Sequence, residues 1–571
     1  MKKILSLMIV AGAVLAGCSD SFLDSDNLTK KDNTVFPKNT TDAEQLLTSV
    51  YTPLLGDIEY PFCTAFMQAE LMSDERLGAG GTDDREAQAV AAFMKVQENQ
   101  YAKFWELKYQ GIYRANFLIA SEPNIEWDSE ASQNRIMGEA YFMRALHYLE
   151  LGRAFGNVPL VLTPDPANNP QATPEELYGR IAADFLKAAE LMPDTRWAPG
   201  TGTDGHATRW AAQGMLARAF LFYTGYYNQE SIALPDGGTL TRQQVASLLD
   251  DCIANSGHNL VPDFRNLWPY SAAKDYKFND TFGLQWVTED GSNPEAMFVI
   301  KHSGAGADVD GNNHSRNNET LFFSLRYQDE GGNAWVDCYP FGSGWGIGTV
   351  TPDIYETWPV DDPRRAGSIL NVDDPAEGLL AYHDGCQAQV HDTHLFNKKY
   401  TAISTKTDDP AEETYLGPGI TSLYWKMYPN FMSLDYQNNS FQDFFVLRFA
   451  DVLLMGAELG SANGQTYFNR VRARAGLQPL PLTLENIKNE RRWELAFEGI
   501  RYYDLLRWHD ENLITAHRTN VKVKNLGVDA TVSVPFRAET KGLLPIPDQE
   551  IQKAQGMLVQ NPGWASNEGN Y

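Results

Sequence analysis

Residues 487–508, I-K-N-E-R-R-W-E-L-A-F-E-G-I-R-Y-Y-D-L-L-R-W, decide how the rest of the chain is read. No proline interrupts them and Thr483 stands ahead as an N-cap, so the stretch predicts a helix. On that helix Arg491, Glu494, Glu498 and Arg501, spaced three, four and three, share one face. Trp493, Phe497 and Ile500 form an apolar stripe beside it. Gly499 costs about 1 kcal/mol inside a helix, which points to close packing or a break there. Two chemistries compete for the carboxylates. One makes Glu494 and Glu498 the acid pair of a surface glycoside hydrolase. The other makes them ion partners of Arg491 and Arg501 in a helical array. A carboxylate between arginines stays ionised, which is wrong for a general acid, so a structural ion network of Arg491, Glu494, Glu498 and Arg501 is favoured.

Other helical stretches flank this one. Thr41 and Glu44 read as a capping box, Phe104–Ala120 and Glu139–Phe155 as helical runs, and Thr173 with Glu176 as a second box with Pro174 at N1. Leu177, Ile181, Phe185 and Ala188 continue that stripe until Pro193; Thr208 caps another run through Trp210, Gly214, Ala217 and Leu221. Small and aromatic residues on paired helices suggest degenerate tetratricopeptide repeats, most clearly at Ala183–Pro193. Between residues 257 and 442 the stripes fade into Gly-, Pro-, Asn- and Asp-rich loops with short aromatic runs. Helices resume at Val446, and Gly476 reads as a helix C′ residue. The fold expected is mainly α, a tetratricopeptide-like helical hairpin scaffold with a long loop-rich insertion containing short strands. Its parts are 1–17, 18–40, 41–256, 257–442 and 443–571.

The first of these parts is a signal peptide: Lys2 and Lys3, then a nearly apolar run from Ile4 to Leu15, too short to span a bilayer. Leu15-Ala16-Gly17-Cys18 reads as a lipobox, which makes Cys18 the lipid attachment site and 18–40 a lipidated tether. Phe22 and Leu23 are candidates to dock that tether on the body. No later stretch is long and apolar enough to cross a membrane, so the mature chain is expected to be anchored to one. A net charge of −27 argues against a nucleic-acid partner.

The wording of Glu490–Trp508 matches E-R-x-x-E-L-x-x-E-G-x-R-x-x-D-L-x-R-W and resembles the C-terminal signature of the SusD/RagB family. So do Phe104–Asn116, F-G-N-V-P-L at 155–160, Asn293–His302, D-D-P-R-R at 361–365, Arg448–Glu458, Asn469–Leu477, Leu543–Ile551 and Asn561–Trp564. The resemblance implies four tetratricopeptide-like repeats with the last pair far along the chain. It also implies a lipid-anchored protein on the outer face of the outer membrane that captures nutrients, mostly glycans, for a TonB-dependent (SusC-like) transporter. Some members serve peptides or other nutrients, so that reading stays open. The helical face is then the transporter side and the insertion the ligand side.

Within the insertion, Asn333–Trp345 mixes aromatic and polar residues in a glycine-rich loop, the combination that stacks on a sugar's C–H face and takes its hydroxyls. Trp335, Tyr339, Trp345 and Trp286 are the aromatic ligand candidates, weighed against ordinary packing, which also competes for Trp268, Trp358 and Trp425. Asp74 and Arg85, in an N-terminal loop, are the polar ones. No catalytic motif of the G-x-S-x-G, H-E-x-x-H or P-loop type occurs, and no enzyme activity or cofactor is expected. Two metal arrangements compete with ordinary exposed loops. His383, Cys386, His391 and His394 lie close in sequence, and Asp308, Asp310, Asn312 and Glu319 follow an EF-hand spacing, for Ca2+, with Asn313 where glycine belongs. Cys63, Cys252, Cys338 and Cys386 leave three complete disulfide connectivities open.

Overall fold

Side-chain caps set where most helices of the N-terminal half begin. In the computed structural model, which describes residues 36–56, 64–96, 99–165, 169–200, 205–289, 291–302, 316–327, 334–427, 440–564 and 571, helix α1 spans Thr40–Tyr51. Its cap is Asn39, which accepts from Asp42 N, rather than the Thr41–Glu44 box expected; Asp42 in turn accepts from Lys38 N. Cys18, the tether with Phe22 and Leu23, Cys63, Asp308, Asp310 and Asn312 lie outside the described residues.

After α2 (Ala65–Met72) and α3 (Arg85–Ala91) come the long helices α4 (Ala102–Ser121), α5 (Glu130–Phe155), α6 (Pro174–Leu191), α7 (Arg209–Tyr226) and α8 (Arg242–Asn255). The Thr173–Glu176 box opens α6 as expected, and Thr241 with Gln244 makes another at α8. Successive helices from α4 to α8 pack on one another, an array of helical hairpins. Close approach needs small residues at the crossings: a Cβ on Gly111 of α4 would sit 2.2 Å from His147 Nε2 of α5. Phe142, Phe185 and Phe298 stack edge to face at the centre, with centroids 5.5 and 4.9 Å apart.

The array resumes with α9 (Phe449–Glu458), α10 (Gly464–Arg474), α11 (Leu484–Glu494) and α12 (Arg501–Trp508), and α9 and α12 both pack on α7. Gly476, at φ +75°, ends α10 as expected, with Leu477 N donating to Arg472 O. The single helix expected over 487–508 is two. Phe497 and Gly499 take φ +62° and +69°, and a Cβ on Gly499 would stand 2.9 Å from the Phe66 ring, so the turn needs glycine both for its backbone and for its neighbour.

The described residues between α8 and α9 form short helices and two-stranded sheets joined by loops. One sheet is anchored in the scaffold: β1 (Ala296–Ile300) pairs antiparallel with β2 (Phe444–Arg448), which runs directly into α9. Cys252 and Cys338 are buried free thiols, and Cys386 is buried.

Candidate functional site

The deciding stretch builds a buried ion cluster. Arg448 ends β2 and donates to Glu295 (2.9 Å), Glu494 (2.6 Å) and both oxygens of Glu498 (2.7 and 2.9 Å). Glu494 also meets Arg364 at 2.9 Å and Arg474; Glu490 meets Arg364 and Arg472; Lys399 meets Glu498; and Asp362 holds Arg364. Four arginines and a lysine thus face five carboxylates, all almost out of contact with water. Burial pushes Glu494 upward, but Arg474, Arg448 and Arg364 outweigh it and hold the carboxyl well below the ordinary range. A general acid needs the opposite shift.

The partners differ from those expected. Arg491 shares α11 with Glu494 but binds Asp451 and Asp504, and Arg501, carried off by the break before α12, binds Asp74. Glu498 lines a cavity of about 60 Å³, room for a few waters and no sugar ring.

Asp74 therefore belongs to this buried architecture and offers no surface to a ligand. It is 0 % exposed, chelated by Arg501 at 2.8 Å through both oxygens, and bonded by His517. Burial raises its carboxyl, but Arg501 and Arg492 win and hold it well below the usual range. Its neighbour Glu75 goes the other way. Burial and the Asp74 charge push it up to about 8, and neither of its oxygens accepts a hydrogen bond.

The aromatic candidates divide into two places. Trp335 is buried, packed on Leu416, Ile420 and the face of Gly342; Tyr339 is half-buried beside it, with Lys406 Nζ 5.5 Å from its ring and its hydroxyl donating to Lys274 O. The exposed ring of this patch is Tyr415, 46 % exposed, with Trp425 behind it at 5.9 Å and 32°. Lys274 and Lys426 pair with Asp408, and Lys406 with Asp275, as loose surface ion pairs, and Lys274 and Lys406 both touch Tyr339. Tyr415 was missed in the sequence, although its setting in E-T-Y-L-G-P-G was a turn signal.

Trp345 stands elsewhere, half-buried against Phe322 at 4.9 Å. Its carbonyl accepts from Arg326 Nη1 at 2.9 Å. The same guanidinium reaches Asp84 at 2.9 Å and the Gln387 carbonyl at 3.0 Å, joining three loops at one rim. Gly80 N donates to Gly346 O, and Val390 N to Gly80 O, in that rim. No sequence pattern marked Arg326. Arg85 is exposed at the start of α3, 5.1 Å over the Tyr571 ring. Pro340–Gly348 runs from the Tyr339 patch to this rim. Trp286 packs edge-on to Tyr424, and Trp268 and Trp358 are core.

The metal arrangements also change. His383, Cys386 and His391 do not converge with His394: Cys386 is buried, and burial pulls His391 down to about 4. Among the described residues the group with metal-ligand spacing is Asp384, Asp392 and His394. Glu319, the described residue of the EF-hand spacing, lines the 60 Å³ cavity.

Comparison with known proteins fits this architecture. Residues 310–564 match the model described as "SusD family", and residues 21–221 the model described as "Starch-binding associating with outer membrane". SusD-like protein P2 of Formosa agariphila is 25% identical over 99% of this chain and 100% of its own. A SusD-like protein of Bacteroides ovatus is 24% identical over 89% and 83%. Among solved structures, one named "Laminarin binding SusD-like protein" superposes with a TM-score of 0.68 at 25% identity, covering 92% of this chain and 100% of that one. Surface glycan-binding protein A from Bacteroides fluxus does so with 0.69 at 25%, over the same shares. No helix among the described residues is long and apolar enough to cross a membrane. With two family models that together span most of its length, and SusD-like relatives and solved structures matching it nearly end to end, the chain belongs to the SusD-like family.

Proposed function

We propose that this protein is a non-catalytic, lipid-anchored capture protein that holds an oligosaccharide at the mouth of a SusC-like TonB-dependent outer-membrane transporter. The observation that supports it most is Tyr415, an exposed aromatic ring backed by Trp425, on a loop-rich face that also carries the surface ion pairs of Lys274 and Lys426 with Asp408 and of Lys406 with Asp275. A sugar ring stacks its C–H face on such a plane while charged neighbours bond its hydroxyls. The names of similar proteins, one laminarin-binding and others surface glycan-binding, favour glycans over peptides as the first class to test.

The same reading makes Cys18 the anchor and excludes Glu494 and Glu498 from chemistry, since both are locked on Arg448. Calorimetric titration with a panel of β- and α-glucans and other oligosaccharides, with products analysed afterwards, tests it. Saturable binding to one glycan class without cleavage is the expected result. Cleavage, or silence across the panel alongside binding of peptides, overturns it.

A further inference from the structure

We infer that Asp384, Asp392 and His394 form a binding site for a divalent transition-metal cation of the zinc class. One ligand atom from each lies within 4.8 Å of the other two. Asp384 Oδ1 and His394 Nε2 are 2.9 Å apart, yet Nε2, though shielded from solvent, makes no hydrogen bond: the two atoms lie side by side instead of donor to acceptor. Two ligands on a tetrahedral zinc, with bonds of about 2.0–2.1 Å, have the same relation at roughly 3.4 Å.

The surroundings orient the three groups toward one point. Asp373 Oδ2 accepts from His394 Nδ1 at 2.9 Å, which leaves the Nε2 lone pair for a cation, the carboxylate–histidine–metal arrangement. Asp392 is 1 % exposed and held on both oxygens, by Tyr382 OH at 2.7 Å and by His394 N at 2.9 Å. Asp384 is partly open to solvent, so an ion can enter there and keep a water in its fourth position. Three carboxylates, Asp373, Asp384 and Asp392, converge on one imidazole, and the nearest lysine, Lys524, lies 3.5 Å from Asp384 and is shared with Asp529. An imidazole with two carboxylates suits zinc and its neighbours, whereas calcium and magnesium prefer all-oxygen shells. The loop so fixed would be 384–394, which supplies the Gln387 carbonyl to Arg326 and Val390 N to Gly80 at the Trp345 rim.

The test is titration of the chelator-treated protein with zinc chloride, followed by metal analysis after desalting. One zinc per chain with micromolar or tighter affinity is expected, with no retention of calcium or magnesium. Asp384→Asn and His394→Gln should each weaken binding at least tenfold, while His383→Gln leaves it unchanged. Asp384→Asn changes a partly exposed side chain, so it decides the matter even if His394→Gln folds poorly. Absence of zinc binding, or binding that survives both Asp384→Asn and His394→Gln, overturns the assignment.

Discussion

Replacing Arg448 by methionine tests the buried cluster most directly. The guanidinium is 1 % exposed and donates to Glu295, Glu494 and Glu498. Methionine fills much of the volume but brings no charge, so three carboxylates each lose one cation. None is left wholly alone: Glu494 keeps Arg364 and Arg474, Glu295 keeps Arg474, and Glu498 keeps Lys399. Losses within one network do not add, so the cost is that of breaking one buried pair, about 3–5 kcal/mol, and not three times that. With a urea slope at or above about 3 kcal/mol/M for a chain this large, the midpoint falls by roughly 1 M. Equilibrium urea unfolding followed by tryptophan fluorescence measures it, with the exposed Lys187→Met as a control expected to stay at the wild-type midpoint. An Arg448→Met midpoint within about 0.2 M of wild type, at unchanged slope, would refute the reasoning.

Gly499→Ala should lower the melting temperature, since it combines about 1 kcal/mol of left-handed backbone strain with about 1–3 kcal/mol of crowding against Phe66; an unchanged melt would show that the turn relaxes. Glu75 carries its proton in the folded state up to about 8, whereas the unfolded group ionises near 4.5. Between those values the folded form binds more protons, so stability falls as pH rises, and Glu75→Gln should flatten that slope in melts taken across the window. Asp74 and Glu494 are lowered, so their contribution is present above the unfolded carboxylate value and disappears as pH falls through their folded ones; acid unfolding of Asp74→Asn should show a shallower dependence. Tyr415→Ala should weaken glycan binding by about tenfold with the melting temperature unchanged, and equal affinity would move the site to the Trp345 rim.

The helical half was legible because caps and apolar stripes are local. Thr173–Glu176, Thr208, Thr483 and Gly476 each do what their neighbours in sequence imply. Ion partners were not legible, because charge says nothing of distance along the chain: Arg501 finds Asp74 across 427 positions, while Arg491 and Glu494, one turn apart, choose others. The signature around Glu490–Trp508 thus marks a family through its packing, and most of its residues are buried. Exposure of aromatics was hidden for the same reason. Trp335 and Tyr415 have equally plausible loops, and only the tertiary contact with Gly342 and Leu416 decides that the tryptophan is buried.

The β1–β2 pairing has a consequence for how such a protein changes over time. Ile300 faces Phe444 across the ladder, so the chain leaves the scaffold and returns to it at nearly the same point. Everything between is a closed excursion whose length enters the cost of closure only logarithmically. Segments of the excursion can be lengthened, shortened or exchanged while Arg448, one step inside the exit, keeps the helices clamped. The molecule is in effect a fixed handle with a replaceable head. New specificities can be grafted onto the loops between residues 300 and 444, provided Asp362, Arg364 and Lys399, which this excursion lends to the buried cluster, stay in place.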